Sequence, residues 1–418
     1  MGKNIWIINQ YAITPDLPGG TRHYDLGSEL VKRGFGVTIF ASGFHYGVRQ
    51  DLKLGKNEKH RIENYNGVNF VWIKTFAYKK SNWRRMANMV FFAWDSYWLG
   101  RSLPKIKTIG KPDVIIGSSV HLFAVAAAYG LSLYYKVPFI MEVRDLWPKT
   151  LIDIGKYKKT DPVVRVLAML EKFLYAKADK IIVLLPSARD YIVPLGISGD
   201  KIVWISNGVD LSNFPLEAPS ADNDSTFKVI YLGAHGIANA LDIVLDAARV
   251  IQERGNDPIK FIFVGDGDGK DKLRTYAKKL DLKNVEFRDP VKKNMVRSVL
   301  NEADVLVIPI RMKEIYKYGI SQNKLFDYMA SAKPVILSGD PVNNPVRDSG
   351  GGIFVPSEDP AKLADAVMTL YNMTLGERVA MGMKGRDYVE KNNSIPVLAD
   401  KLQKVIEEVA GKTKKWTK

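Results

Sequence analysis

The chain has 418 residues, 46% hydrophobic and 25% charged, a balance that excludes bulk disorder and suggests two or three domains. It has no cysteine, which excludes disulfides, thiolate metal sites and cysteine nucleophiles. The net charge is +16 and lies unevenly: residues 1–213 carry 30 Lys and Arg against 17 Asp and Glu (+13), and 214–418 carry 31 against 28 (+3). The basic half is either a solvated surface or the seat of an anionic partner: nucleic acid, anionic lipid or a phosphorylated substrate.

In chain order, Met1–Gln10 reads as a short buried strand and not as a signal peptide, because Asp16 breaks any longer apolar run. The longest run without Asp, Glu, Lys or Arg, Val114–Tyr135, is interrupted by Gly117, Ser118, Ser119 and His121, which argues against a transmembrane helix. Strands are predicted at Ile5–Ile8, Val37–Ala41, Phe70–Ile73, Val114–Gly117, Phe139–Val143, Ile181–Leu184 and Ile202–Ile205, mostly unbroken Val/Ile-rich runs suited to burial on both faces. Helical patterns at Thr21–Arg33, Phe123–Tyr135, Pro162–Ala176 and Ser187–Pro194 lie between them. Such alternation predicts a parallel sheet with helices on both faces. It lapses over Asn207–Thr226, whose Asn, Asp, Ser and Pro read as an interdomain linker. It resumes with strands at Val229–Leu232, Phe261–Val264, Val285–Phe287, Val305–Ile308 and Val335–Leu337. Ligands of open α/β sheets bind outside the carboxyl ends of the strands, so with two such domains the ligand is expected in the cleft between them.

Four loops carry candidate chemistry. The first, Asn9–Gly20, joins a strand to a helix and ends in Gly19-Gly20-Thr21-Arg22. Its paired glycines are either a plain turn or a place where backbone amides approach a phosphate at a helix N-terminus. The second, Gly233-Ala234-His235-Gly236, follows a strand and places His235 where it can donate to a diphosphate. The third, Gly265-Asp266-Gly267-Asp268-Gly269, lacks the spacing and distal Glu of a calcium loop and suits either a base or ribose contact or simple turn chemistry. In the fourth, Gly319–Ile336, Ser321 is a candidate helix N-cap. Lys324 and Asp327 share a helix face there, a cation suited to phosphate and a carboxylate suited to ribose hydroxyls; spacing alone equally describes a surface ion pair.

With Glu142-Val143-Arg144-Asp145-Leu146-Trp147-Pro148, Ile205-Ser206-Asn207-Gly208-Val209-Asp210 and Gly350-Gly351-Gly352-Ile353, these segments resemble, in order and over nearly the whole chain, the family 4 retaining glycosyltransferases. The EVRDLWP and AHG segments are most similar to the bacterial subgroup that includes L-fucosamine transferases of surface-polysaccharide assembly. The resemblance implies an α/β protein of the GT-B fold: two Rossmann-like parallel-sheet domains facing across a cleft. Residues 1–213 would bind the acceptor, 214–384 the nucleotide sugar, and the last helices, about 385–418, would return to the first domain.

It implies site residues as well. Asp327 matches the second acid of the family's Glu-x7-Glu motif, which binds ribose hydroxyls. Lys324 and His235 match diphosphate-binding positions, Gly19 and Gly20 the loop that closes on the donor, and Phe287-Arg288-Asp289 the base-reading segment, often for uracil. Gly233, Gly236, Gly265, Asp266, Ser321 and Leu325 complete the expected donor site. Two positions depart from the family pattern. Gly319 stands where the first Glu usually touches the donor sugar, leaving Glu314 of a shifted loop as the substitute or the sugar held differently. Ala234-His235-Gly236 replaces the usual Arg and Lys of the phosphate site.

No carboxylate nucleophile emerges, so retention implies a front-face reaction in which the leaving diphosphate takes the acceptor proton, with Lys324 and His235 stabilising its charge. His121 is a candidate acceptor-side catalytic residue or a capping histidine. Arg144 and Asp145 are candidate acceptor ligands, although Asp145 equally suits a pair with Arg144 or a helix cap. No metal or other cofactor is expected besides the nucleotide-sugar co-substrate, a UDP-sugar.

Residues Tyr78–Lys107 mix Lys and Arg with aromatics. They suit a helix lying among lipid headgroups through Trp83, Arg84, Arg85, Phe91, Trp94 and Trp98, or a core helix. The expected partners are a lipid-linked acceptor and an anionic membrane surface, with the protein cytoplasmic and peripheral on the inner face of the cell membrane. The alternatives are a soluble enzyme of the same fold, a sugar-nucleotide epimerase and a nucleic-acid-binding protein. The last has only the basic charge in its favour, since no recognition motif is present, and nucleic acid is not an expected partner.

Overall fold

The computed structural model describes residues 2–411 apart from 79–82, 107–108, 154, 156, 217–225, 237–238, 256–257 and 312. The Lys-rich end of the chain, part of the predicted linker and parts of the basic aromatic segment therefore lie outside the described residues. The chain divides into two compact units, Met1–Ser206 with Ile395–Lys418, and Asn207–Ser394.

The first unit runs β1 (Asn4–Ile8), α1 (Arg22–Lys32), β2 (Gly36–Ser42), a hairpin of β3 (Phe44–His45) and β4 (Gln50–Asp51), β5 (His60–Tyr65), β6 (Val68–Ile73), α2 (Trp83–Ser102), β7 (Val114–Ser119), α3 (Leu122–Tyr135), β8 (Phe139–Val143), α4 (Lys149–Asp153), α5 (Pro162–Lys177), β9 (Lys180–Val183), α6 (Arg189–Ile192) and β10 (Ile202–Trp204). Its main sheet has the order β10-β9-β8-β7-β1-β2-β6-β5. All neighbours are parallel except β5, which pairs antiparallel with β6. The apolar runs of β1, β2, β7 and β8 are buried on both faces, as predicted. The edge strand β5, HRIENY, escaped prediction because it is polar on both faces and owes its conformation to its partner.

The second unit runs β11 (Phe227–Leu232), α7 (Leu241–Glu253), β12 (Ile259–Val264), α8 (Lys270–Lys279), β13 (Val285–Arg288), α9 (Val296–Asn301), β14 (Val305–Pro309), α10 (Asn323–Ala330), β15 (Val335–Ser338), α11 (Pro345–Ser349), β16 (Gly352–Val355), α12 (Pro360–Asn372) and α13 (Leu375–Asn393). Its sheet is parallel in the order β13-β12-β11-β14-β15-β16, with a hydrophobic core on each face. The strand order reverses beside β1 in the first sheet and beside β11 in the second. Such switch points open the crevice where α/β folds bind ligands.

The helix α14 (Ile395–Ala410) belongs to the first unit. Its Leu398, Leu402 and Ile406 enter the same core as Leu26 and Leu30 of α1, and Asp400 pairs with Arg33 at 2.6 Å. The units meet the chain at 206/207 and 394/395, whereas the sequence suggested 213 and about 385. Two packing facts account for the difference. Val209 bridges to Ser394 within the second unit. In α13, Gly382 lies too close to the Ala332 carbonyl for any side chain, and Arg386 donates to the Phe214 and Ala330 carbonyls.

Candidate functional site

In the second unit, β11 delivers Gly233–Gly236 to the carboxyl edge of the sheet and β12 delivers Gly265–Gly269 beside it. The His235 amide donates to the Asp266 carbonyl at 2.8 Å, and the Gly269 amide to the His235 carbonyl at 2.9 Å. A β-carbon on Gly265 would collide with the Gly233 carbonyl oxygen, and one on Gly267 or Gly269 with the His235 backbone. The glycines of the second loop are thus there to let the first lie directly on it. Asp266 is exposed, and its carboxylate accepts from the Gly267 amide at 2.8 Å, folding its own loop.

His235 departs from expectation. Its side chain is fully buried, with ring contacts to Tyr231 and Phe287. Its Nε2 lies 3.3 Å from where a Gly265 β-carbon would be. Burial first, and the Lys270 ammonium second, lower its pKa to about 4, so the ring is neutral at pH 7. Neither ring nitrogen reaches a partner with hydrogen-bond geometry, although the Val264 carbonyl is near enough to favour the protonated form. The ring wedges the two loops together beneath the exposed Ala234 and is not open to a diphosphate.

Lys324 lies in the first turn of α10, beside the Gly233 loop. Its ammonium donates to Tyr231 Oη at 2.9 Å and Asn239 Oδ1 at 2.8 Å and sits 4.6 Å over the Tyr231 ring. These partners are neutral, and desolvation lowers Lys324 to about 7. Tyr328 holds α10 in place: its hydroxyl accepts from the Leu232 amide at 2.6 Å and donates to the Leu232 carbonyl at 2.8 Å. Asp327 lies half-buried on the same helix face, one turn beyond Lys324.

Three other expected donor residues are placed differently. Ser321 is not the N-cap, because α10 begins after Gln322. Its hydroxyl instead accepts from the Asn207 amide at 2.7 Å, while the Asn207 side chain donates to the Ser321 carbonyl at 2.5 Å. Leu325 is wholly buried in the core, so its side chain is closed to a ligand. The Arg288 guanidinium is held by Glu286 at 2.7 Å and Glu302 at 2.6 Å, so its carbonyl rather than its side chain faces the glycine loop, receiving Lys270 Nζ at 3.1 Å. Gly319 sits at φ +106°, a conformation that disfavours any side chain, and Glu314 is exposed and paired with Lys317. Sequence reasoning missed Tyr231, Asn239, Asn207 and Lys270. Only Asn207, inside the ISNGVD segment, carried a signal.

In the first unit, Gly19 (φ +131°) and Gly20 are exposed at the end of the β1–α1 loop. Behind them lies a buried ionic network. Arg22 Nε and His23 Nε2 reach the two oxygens of Glu142 at 3.0 and 2.7 Å. Ser118 Oγ donates to the carboxylate at 2.5 Å, and Asn9 Nδ2 donates to Ser118 Oγ at 2.8 Å, joining the ends of β1, β7 and β8. Burial works to raise Glu142, but Arg22, His23 and Arg144 outweigh it and hold the carboxyl well below 4.5. Beyond Glu142, Arg144 is half-buried and Asp145 exposed, both at the carboxyl end of the sheet.

His121 is a cap rather than a proton carrier. Nδ1 accepts from the Ala124 amide at the start of α3, and Nε2 lies 2.6 Å from Gln10 Oε1. Burial first, then Arg85, lowers its pKa to about 3. Between pH 6.5 and about 3 the unfolded chain therefore binds a proton here that the folded chain refuses, so stability is full above pH 6.5 and falls on acidification. Melting temperature measured against pH is expected to fall less steeply below pH 6.5 in His121→Asn; an unchanged slope would refute the assignment.

The helix α2 has one buried face and one exposed face. Asn88, Met89 and Phe92 face inward, while Trp83 (71% exposed), Trp94 (61%), Trp98, Phe91 and Arg84 face out; Arg85 is half-buried beside Tyr11. No helix among the described residues is long and apolar enough to cross a membrane, and no group of three His, Asp or Glu among them is placed to hold a metal ion.

A family described as "Glycosyltransferase Family 4" matches residues 19–213, and "Glycosyl transferases group 1" matches 226–373. The "Probable glycosyltransferase WbjE" of Pseudomonas aeruginosa is 20% identical over 66% of this chain and 70% of its own length. The phosphatidyl-myo-inositol mannosyltransferase of Mycobacterium leprae is 30% identical over 51% of this chain and 55% of its own, so the match spans about half that relative. Among solved structures, sucrose-phosphate synthase from Thermosynechococcus elongatus superposes with a TM-score of 0.75 at 16% identity, covering 98% of this chain and 99% of that one. Anabaena Alr3699/HepE in complex with UDP-glucose superposes at 0.66 and 12%, covering 98% and 100%. With its two parallel-sheet units, its loops gathered at the strands' carboxyl ends and these matches over most of its length, the chain belongs to the family 4 glycosyltransferases and has the GT-B fold.

Proposed function

We propose that the protein is a retaining transferase that moves a hexosyl or N-acetylaminosugar unit, L-fucosamine being one candidate, from a UDP-sugar to a polyprenyl-diphosphate-linked acceptor. The product would enter a surface polysaccharide such as O-antigen or capsule. The observation that carries the reading is Lys324: a cation desolvated beside Gly233 at the switch point of the second sheet, whose hydrogen-bond partners among the described residues, Tyr231 and Asn239, are neutral. A diphosphate supplies the charge it lacks. Asp327 binds the ribose hydroxyls, the Phe287–Asp289 backbone meets the base, and Gly19 and Gly20 are further donor ligands. Arg144 and Asp145 orient the acceptor. The bond from C1 to the leaving diphosphate oxygen breaks as the acceptor oxygen attacks from the same face. The acceptor proton passes to that diphosphate oxygen, with Lys324 and backbone amides taking up the developing charge and no metal required. The UDP assignment is supported by the UDP-glucose bound to the Anabaena neighbour, and the lipid acceptor by the name of the mycobacterial relative. The enzyme would work as a peripheral protein on the cytoplasmic face of the cell membrane.

Calorimetry with UDP, GDP and ADP tests this. UDP is expected to bind, and Asp327→Ala to weaken it about tenfold or more through loss of a charge-assisted ribose contact. Equal binding by the variant, or binding of none of the three, would overturn the site.

A further inference from the structure

The helix α5 presents an outer surface that a soluble fold does not require. Its inward residues are Val164, Leu167, Glu171, Leu174 and Tyr175. Directly opposite, at helical spacing, stand Val166 (63% exposed), Met169 (73%) and Phe173. A surface helix ordinarily places polar residues there; one that is apolar all round wants a partner on both sides.

This stripe is continuous with the exposed aromatics of α2. The two helices both pack on α3. Tyr129 of α3 meets Phe173 edge-on at 5.6 Å, and the Arg101 guanidinium of α2 lies 4.4 Å over Tyr134 of α3 and 4.9 Å over Trp98. The three helices thus share one apolar, aromatic surface, larger than isolated exposed side chains explain.

Its charge is one-sided. The helices α2, α3 and α5 contain Arg84, Arg85, Arg101, Arg165, Lys172 and Lys177 against two acids, Asp95 and Glu171. Glu171 is buried; burial outweighs its bonds from Tyr191 and Tyr175 and pushes it up to about 8, so it is largely neutral at pH 7. Arg165 and Lys172 flank one side of the α5 stripe and Lys177 the other. A second copy of this chain docked by a two-fold axis would bring these cations against themselves. An anionic headgroup layer over hydrocarbon complements both features at once.

We propose that the outer faces of α2, α3 and α5 form one surface that docks on an anionic phospholipid bilayer, with Val166, Met169 and Phe173 entering the headgroup region beside Trp94 and Trp98. This deepens, and rests on, the membrane-acceptor reading above: it makes α5 a second anchor, so that two helices set the tilt of the acceptor-binding unit on the membrane. The depth is interfacial, since none of the three helices is apolar enough to span a bilayer.

The test is co-sedimentation of the full chain with phosphatidylcholine vesicles, with and without phosphatidylglycerol. Wild type is expected to sediment only with the anionic vesicles. V166S/M169S/F173S is expected to bind them about tenfold more weakly, because three apolar side chains leave the interface. Arg165→Glu with Lys172→Glu is expected to lose the response to phosphatidylglycerol. UDP calorimetry and circular dichroism on each variant confirm that the fold and donor site are intact. Undiminished sedimentation of the triple variant would overturn the role of α5. A wild type that ignores anionic vesicles yet binds UDP would overturn the docking surface and leave the transferase reading standing. A lipid-free dimer that the triple variant abolishes would assign the face to a second copy and also overturn the proposal.

Discussion

Replacing Lys324 with Met is expected to cut sugar transfer about 10²–10³-fold, the range typical of removing one group that stabilises developing charge, while the free protein melts at the same or a higher temperature. The two effects share one cause. In the free protein the ammonium is desolvated beside Tyr231 and Asn239, with no carboxylate paired to it among the described residues. That lowers its affinity for a proton to about 7 from 10.5, so between those values the unfolded chain binds more protons and stability rises with pH. Met removes the burdened charge and keeps much of the stem's packing. With donor present the balance inverts: the diphosphate stabilises the ammonium, so donor affinity is full below about pH 7 and declines as the pH rises and the free-state lysine deprotonates. Calorimetry with the nucleotide sugar between pH 6 and 9 is expected to show that decline in wild type and a flat profile in K324M. A variant retaining transfer within tenfold of wild type would remove Lys324 from the mechanism.

Glu142→Ala is expected to destabilise the first unit by about 3–5 kcal/mol, the usual cost of leaving a buried charge without its partner. The Arg22 side chain is 4% exposed, and without the carboxylate its partners among the described residues are the Ile205 and Ser206 carbonyls. His23 and Ser118 lose the same acceptor. Glu142→Gln, which keeps the shape and one acceptor, is expected to cost less, and adding Arg22→Met to E142A to recover part of the loss. Because the folded carboxyl titrates well below 4.5, its contribution is present above about pH 4.5 and lost as the pH falls toward the folded value. Denaturant melts of the four proteins at pH 7 and at about pH 3.5, below the unfolded carboxyl's value, measure this. An E142A protein as stable as wild type would show the network to be dispensable.

The network shows where sequence reading stops. Arg22 and His23 lie 120 and 119 positions from Glu142 and meet it because β1 and β8 flank β7 in one sheet. Glu142 was read within EVRDLWP without a partner, and Arg22 merely as the end of a glycine loop. His121, read as catalytic or capping, and His235, read as a diphosphate donor, were not decidable from the sequence for a related reason. Position after a strand and beside a glycine marks a loop, but whether an imidazole turns outward or inward depends on what packs beneath it. Here Gln10 and the Ala124 amide claim one ring, and Phe287 with the Gly265 loop encloses the other.

Local chemistry alone settles part of this architecture. Unbroken Val/Ile runs at β1, β7, β8 and β11 could be satisfied only by strands buried on both faces, and their alternation with amphipathic segments required parallel sheets. Glycines directly after β11 and β12 marked loops of close backbone approach. The motif order pointed to the family, and Lys324 and Asp327 were placed on one helix face. Tertiary structure decided which side chains are open. It tied Ser321 to Asn207, sank Leu325 into the core, claimed Arg288 with Glu286 and Glu302, and turned the α5 stripe outward. Hydrogen bonds and ion pairs between residues far apart in the chain are settled by strand order and helix packing, which no local pattern encodes.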